Sequence, residues 1–149
     1  MSGANPQPRQ ALVASWVAQM VGTIVLSVVV LAFVKGMGAP LSTGAYDFQR
    51  YMMGAILVAA LPALAYLRVF KPLLLADEAA LKARGTPDPV ARKALLRALS
   101  IGGALCELPM ALGVVHLFFG GETRWFIYAT LITIVVRLSY RPFTRLPGK

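Results

Sequence analysis

The sequence contains little of what soluble domains and metal sites are built from. Of its 149 residues, one is cysteine, one is histidine and six are acidic, and charged residues make up 14% of the chain. A lone cysteine forms no internal disulfide, and a lone histidine without a cysteine pair has no metal-ligand spacing. A soluble domain usually carries about 25% charged residues. These deficits argue against a soluble domain, a disulfide scaffold and a metal centre.

Sequence signatures of catalysis are missing as well. The chain has no glycine-rich phosphate loop and no nucleophile elbow, and its loops supply no convincing Ser–His–acid triad. The single histidine, His116, lies in an apolar run, where an interfacial or helix-bonded role is expected rather than metal binding. We therefore predict a non-enzymatic protein with no catalytic residue, no cofactor and no metal.

Long apolar runs dominate what is present. Hydrophobic residues make up 58% of the chain, and a helix of about 20 apolar residues crosses the hydrocarbon core of a membrane. The runs predict an all-α, multi-pass membrane protein with a single four-helix transmembrane domain over residues 1–149 and spans at about 11–34, 51–70, 98–119 and 124–140. The first run is longer than the apolar core of a signal peptide, although small residues at 36–39 keep cleavage open as an alternative.

The most basic segment separates the second and third runs. Residues 71–97 have helix-forming composition, interrupted at Gly85 and Pro87. Asp88 followed by Pro89 is typical of a helix start, with aspartate as the N-cap and proline at the first helical position. These signals predict a helical hairpin whose second arm continues into the third span and which docks either a protein or lipid headgroups.

Positive charge is distributed unevenly among the segments outside the runs. The net charge is +9, and twelve of the fifteen Lys and Arg residues fall on one side, in the N-terminal tail, the hairpin, the C-terminal tail and the adjoining span ends that hold Arg68 and Arg137. Cytoplasmic segments carry such an excess. We therefore predict both termini and the hairpin in the cytoplasm, at a plasma membrane (the inner membrane of a bacterium). Anionic lipid headgroups, rather than nucleic acid, are the expected partners of the basic segments.

Several residues within the runs suit helix packing. Small side chains let neighbouring helices approach closely in a membrane, and proline bends a helix because it lacks an N–H and clashes with the preceding turn. The candidates for close packing are Ala55, Ala59, Ala63, Gly103 and Gly113, and the candidate kinks are Pro62 and Pro109. Gln19, Thr23 and Ser27 share one face of the first run and should face other helices.

One carboxylate lies deep in a span. Residues 99–119 form an apolar run with Glu107 near its middle, where an ionisable group is energetically expensive and marks a candidate functional site. An antiparallel pairing of the third and fourth spans about a turn near Glu122 would bring Arg137 to the same depth. Both residues are 15 positions from that turn, which places each roughly 22 Å away along its helix.

Three alternatives for Glu107 follow. The first is an intramembrane ion pair with Arg137, which would serve packing and helix registry. The second is a carboxyl group that is neutral when unpaired and gains or loses a proton, as an ion or proton carrier requires. The third is a carboxylate hydrogen-bonded to small polar groups, for which the candidates are Thr23, Gln19 and Ser100.

The segment 101–115 reads Ile-Gly-Gly-Ala-Leu-Cys-Glu107-Leu-Pro109-Met-Ala-Leu-Gly113-Val-Val, with small residues before the glutamate and an aliphatic-Gly-aliphatic run after the proline. It resembles the carboxylate-bearing helix of the proteolipid ring subunits of rotary ATPases. In that family the glutamate carries the transported proton or sodium ion. The resemblance therefore implies that Glu107 is an ion-carrying residue.

Together these observations predict a small membrane subunit or scaffold. It would pack into a larger membrane assembly or a homo-oligomer, with Glu107 and Arg137 fixing the helix registry. The alternative is a protein that handles protons or cations, with Glu107 as the reversible carrier.

Overall fold

The computed structural model describes residues 8–39 and 46–142, and this part of the chain is helical with no β-strand. The six helices are α1 (Pro8–Met37), α2 (Tyr46–Val58), α3 (Leu61–Arg84), α4 (Pro89–Cys106), α5 (Leu108–Phe118) and α6 (Thr123–Leu138). The all-α prediction is therefore confirmed. The predicted N-terminal tail, part of the first loop and most of the basic C-terminal tail lie outside the described residues.

Within the described residues, three helical stretches are long and apolar enough to cross a membrane: Gln10–Met37, Tyr46–Arg84 and Pro89–Phe118. They overlap the first three predicted spans and indicate a membrane protein, although the second and third stretches extend into the predicted hairpin at residues 71–97. Helix α6 has 16 residues, or about 24 Å at 1.5 Å per residue, which is shorter than the roughly 30 Å hydrocarbon core. The fourth crossing therefore stays a prediction.

Proline divides two of these stretches at the expected places. The break between α2 and α3 falls at Ala59 and Ala60, just before Pro62. The break between α4 and α5 falls at Glu107, two residues before Pro109. Proline supplies no N–H to the preceding turn and its ring pushes that turn away, which accounts for the interruption of the helix at these two places.

Helices α3 and α4 form a hairpin with the predicted turn signals. Gly85 ends α3 in the left-handed region at φ 69°, and its N–H bonds to Leu81 O. The Asp88 side chain caps α4 by accepting a hydrogen bond from the Val90 N–H at 3.1 Å. The first arm is continuous with the second apolar stretch, since α3 runs through the predicted boundary at residues 70–71 despite Pro72.

The main core lies where α3, α4 and the end of α6 meet. Tyr140 is buried there, with its ring 5.0 Å from that of Phe70 and its hydroxyl donating to Ala63 O. Gly102 leaves the space that this ring fills. Of the predicted small-residue ridge, Ala63 is fully buried, whereas Ala55 and Ala59 are half-buried.

A second cluster joins α5 and α6 near their connecting turn. Gly113 allows this approach, because a Cβ at that position would lie 2.7 Å from the Ala129 Cβ. Met110, Leu117 and Phe126 are buried beside it. The α5–α6 pair sets the relative depth of Glu107 and Arg137.

Candidate functional site

Glu107 occupies the joint between α4 and α5. Its backbone N–H donates to Ala104 O, three residues back, at 3.2 Å, and its carbonyl accepts the Ala111 N–H at 2.9 Å, so backbone hydrogen bonding continues across the joint. Because Pro109 interrupts the helix, the glutamate lies between α4 and α5, and its side chain contacts α1 and α6. The side chain is 35% exposed.

Arg137, in the last turn of α6, reaches this joint and is 3% exposed. Its Nη2 donates to Glu107 Oε1 at 2.5 Å and to Gly103 O at 2.9 Å. Its Nη1 donates to Gln19 O and to Thr23 Oγ1, both at 2.6 Å. We call these five residues the Arg137 cluster, and they join α1, the α4–α5 joint and α6.

Thr23 links the carboxylate to the first helix. Its hydroxyl is 2.8 Å from Glu107 Oε1 and 3.0 Å from Gln19 O, and it accepts the bond from Arg137. A hydroxyl has a single proton, and the shorter of its two possible donations is to Glu107. The predicted polar face of α1 is confirmed, since Thr23 and Ser27 are both buried, and Ser27 contacts Met110 at 3.2 Å.

The structure thus brings together three of the four residues predicted around the Glu107 carboxylate and leaves out one. Ser100 is exposed on α4, seven residues before Glu107 and about 10 Å away along the helix axis. Its prediction as a partner of Glu107 was wrong because a serine side chain is too short to cover that distance. Gly103, predicted for packing, lies against Gln19: a Cβ there would be 2.5 Å from Gln19 Oε1.

Three polar side-chain atoms of the cluster lack a hydrogen-bond partner in the part of the chain that the structure describes and are called unfilled below. Glu107 Oε2, Gln19 Oε1 and Arg137 Nε are buried and have no hydrogen-bond partner within the described parts of the chain. They border a groove of about 330 Å³ between α1 and α4, which Gly22, Leu26 and Ala104 also line. Because two of the three atoms are acceptors, the groove could hold a hydrogen-bond donor such as water or a protonated group.

A second buried ion pair lies in the α3–α4 hairpin and was missed by the sequence reasoning. Arg92 Nε donates to Asp77 Oδ1 at 3.0 Å, and Nη2 lies 2.8 Å from Oδ2, with side-chain exposures of 11% and 4%. The equal-depth argument applied to Glu107 and Arg137 does not identify this pair, because Asp77 lies 9.5 positions and Arg92 5.5 positions from the centre of the turn at residues 85–88, a difference of about 6 Å along the helix axes. The sequence analysis treated both residues only as parts of the basic hairpin over residues 71–97.

His116 is 1% exposed, packs against Gly121, and has no hydrogen-bond partner at either ring nitrogen among the described residues. The same part of the chain holds no group of three His, Cys, Asp or Glu side chains that could bind a metal. Comparisons with protein-family models, curated proteins and solved structures found no match to this chain.

Proposed function

We propose that this protein is a small, non-enzymatic subunit or scaffold of a membrane assembly or homo-oligomer. In this proposal the chain crosses a plasma membrane four times, with α6 as the fourth crossing, and the α3–α4 hairpin and both termini lie in the cytoplasm. The uneven distribution of basic residues supports that orientation.

The observation that carries this proposal is the number of elements that one guanidinium joins. Arg137 donates to a backbone carbonyl of α1, to a backbone carbonyl of α4 and to two side chains. A buried charge that depends on several partners at once selects one arrangement of the helices over slipped alternatives. The Arg137 cluster therefore acts as a registry device, as expected of a structural subunit.

The surface of α1 supports an assembly role. Val21, Val25, Val28 and Val29 are each more than half exposed, and only 11% of the most apolar part of this helix is buried, against 44% for Pro89–Phe118. Such a face contacts lipid or another apolar helix. A second copy or another membrane subunit is the occupant that we propose.

Single and double substitutions of the ion pair test the registry role. We expect Glu107→Leu to lower the free energy of unfolding by about 3–5 kcal/mol, because it leaves the buried Arg137 guanidinium without its carboxylate. Arg137→Leu should cost less, because the remaining Glu107 side chain is 35% exposed. The double variant should recover most of that loss. Thermal unfolding in detergent measures stability, and light scattering after size-exclusion chromatography measures assembly.

Glu122→Gln is the matched control, since its pair with Arg124 is exposed and should contribute less than about 1 kcal/mol. If both single variants unfold like the wild type, the registry role is wrong. A monomeric wild-type protein that co-purifies with no partner in mild detergent contradicts the subunit proposal.

The second candidate function is proton or cation handling by Glu107, favoured by its unfilled Oε2 beside the α1–α4 groove. A hydrophobic carbodiimide reacts only with a protonated carboxyl group that it can reach from lipid. This candidate expects labelling of Glu107 at neutral pH that fades as pH rises, and loss of ion flux in Glu107→Gln with assembly intact. An ion-paired Glu107 should instead stay unlabelled in the wild type and become labelled in Arg137→Leu.

A further inference from the structure

A groove between α3 and α4 lies at the end of the hairpin that joins the apolar stretches. Its volume is about 820 Å³. The α3 wall is formed by Tyr66 and Leu73, and the α4 wall runs from Pro89 to Ile101. This α4 wall covers 12 residue steps, or about 18 Å along the helix axis, so the groove is elongated and parallel to α4.

The groove combines an apolar floor with positive charge along the middle of its α4 wall. Lys93 and Arg97 line it, and no acidic residue of the described chain does. They are four residues apart and therefore share a helix face. Both are exposed, and neither side chain has a hydrogen-bond or ion-pair partner among the described residues. The neighbouring Arg92 differs, because it is buried against Asp77.

The groove lies at the depth where lipid headgroups meet hydrocarbon, if the protein is inserted as proposed above. Arg97 is 21 residues before Phe118, the last residue of α5, which corresponds to about 31 Å and matches the roughly 30 Å hydrocarbon core. Arg97 is then at the cytoplasmic edge of the core. Lys93 lies one turn farther out, among headgroups, and Ile101 one turn deeper, among acyl chains.

We propose that the α3–α4 groove binds one anionic phospholipid, with its phosphate between Lys93 and Arg97 and an acyl chain along Tyr66, Ala98 and Ile101. This inference rests on the proposed membrane insertion. The two unpaired cations supply the charge complementarity for a phosphate. The apolar floor that continues to hydrocarbon depth favours a lipid over an acidic peptide, which would not extend into the membrane core.

Lipid retention by the intact purified protein tests the proposal. Native mass spectrometry would compare phosphatidylglycerol with phosphatidylcholine, both added to the wild-type protein, to Lys93→Gln/Arg97→Gln and to Lys82→Gln/Arg84→Gln. The last variant is the matched control, because it also removes two exposed cations of the hairpin, away from the groove. We expect the first double variant to lose about 30-fold in phosphatidylglycerol retention and the control to change less than about 3-fold.

Four results would overturn the proposal. Equal losses in both double variants would mean diffuse electrostatic attraction, and equal retention of both lipids by the wild type would mean no headgroup selection. Displacement of the lipid by millimolar inorganic phosphate would assign the cations to a free anion. A protein partner lost from Lys93→Gln/Arg97→Gln, with no lipid retained by the wild type, would assign the groove to that partner.

Membrane insertion itself is measured separately by alkaline extraction. A protein released by that treatment would remove both this inference and the proposed function. A loss of lipid selectivity alone would leave the subunit proposal standing, since assembly and thermal unfolding are measured on the same samples.

Discussion

Two carboxylate–guanidinium pairs in the described part of the chain, each with a buried arginine, are built differently. Asp77 and Arg92 form a two-pronged pair in which both carboxylate oxygens face the guanidinium. In the other pair, Arg137 Nη2 donates to only one carboxylate oxygen, Glu107 Oε1, at 2.5 Å. Glu107 Oε2 and Arg137 Nε have no hydrogen-bond partner among the described residues. The first pair joins two helices across one short turn, whereas the second also engages α1.

The Asp77–Arg92 pair depends only on contacts within one hairpin, whereas the Glu107–Arg137 pair depends on contacts among three helices. The hairpin pair needs only α3 and α4 in place, and its charges satisfy each other. The Arg137 cluster needs α1, α4 and α6 together, and two of its unfilled atoms can accept a further donor. Of the two pairs, the Glu107–Arg137 pair therefore both joins three helices and keeps acceptor atoms that could bind a further donor.

Breaking the hairpin pair should give the largest effect that stays local. Arg92→Leu is expected to cost about 2 kcal/mol, less than the loss predicted for Glu107→Leu, because in the proposed orientation the hairpin lies outside the membrane, where water can enter the space that the guanidinium leaves beside the buried Asp77. Limited proteolysis at the 85–88 turn should report the change, with the rest of the protein as protected as in the wild type. If Arg92→Leu lowered the free energy of global unfolding as much as Glu107→Leu, the proposed difference between the two pairs would be wrong.

Glycine-to-alanine substitutions on α4 and α1 should lower stability by smaller amounts and test how closely the helices pack around each pair. Gly102→Ala forces its Cβ into the Tyr140 ring, which Phe70 holds in place, and should cost about 1–3 kcal/mol. Gly103→Ala meets only the flexible end of Gln19 and should cost less. Gly22→Ala has nothing within 4 Å of the new Cβ, and is the control with no expected loss. Thermal unfolding measures the loss of stability in the three variants. A larger loss in Gly22→Ala than in Gly102→Ala would contradict the described packing.

Local features of the fold were predictable from residues close together in the chain. The cap at Asp88, the stop at Gly85 and the break before Pro109 depend on backbone chemistry within one helical turn. The pairing of Glu107 with Arg137 needed one further assumption, an antiparallel turn, which converts residue counts into depth. The same counting about the turn at residues 85–88 leaves Asp77 and Arg92 four positions apart in depth, so their pairing was visible only in the tertiary structure.

Helix faces were harder to predict than helix ends. Ser100 was grouped with the carboxylate on composition alone, although its side chain cannot cover the distance along α4 to Glu107. Ala55 and Ala59 were treated as equivalent to Ala63, yet only Ala63 is fully buried. Spacing identifies which residues share a face, but it does not identify which part of that face meets another helix.

The sequence by itself determined the apolar stretches, their breaks and turns, and hence the common depth of Glu107 and Arg137. Only the tertiary structure decided that α1 lies beside this pair, so that Thr23 and the Gln19 carbonyl complete it, and which carboxylate oxygen stays unfilled. The physical reason is that lipid and neighbouring helices are both apolar. Hydrophobicity therefore places a helix in a membrane without choosing its neighbours, and that choice depends on close packing and buried hydrogen bonds between residues far apart in the chain.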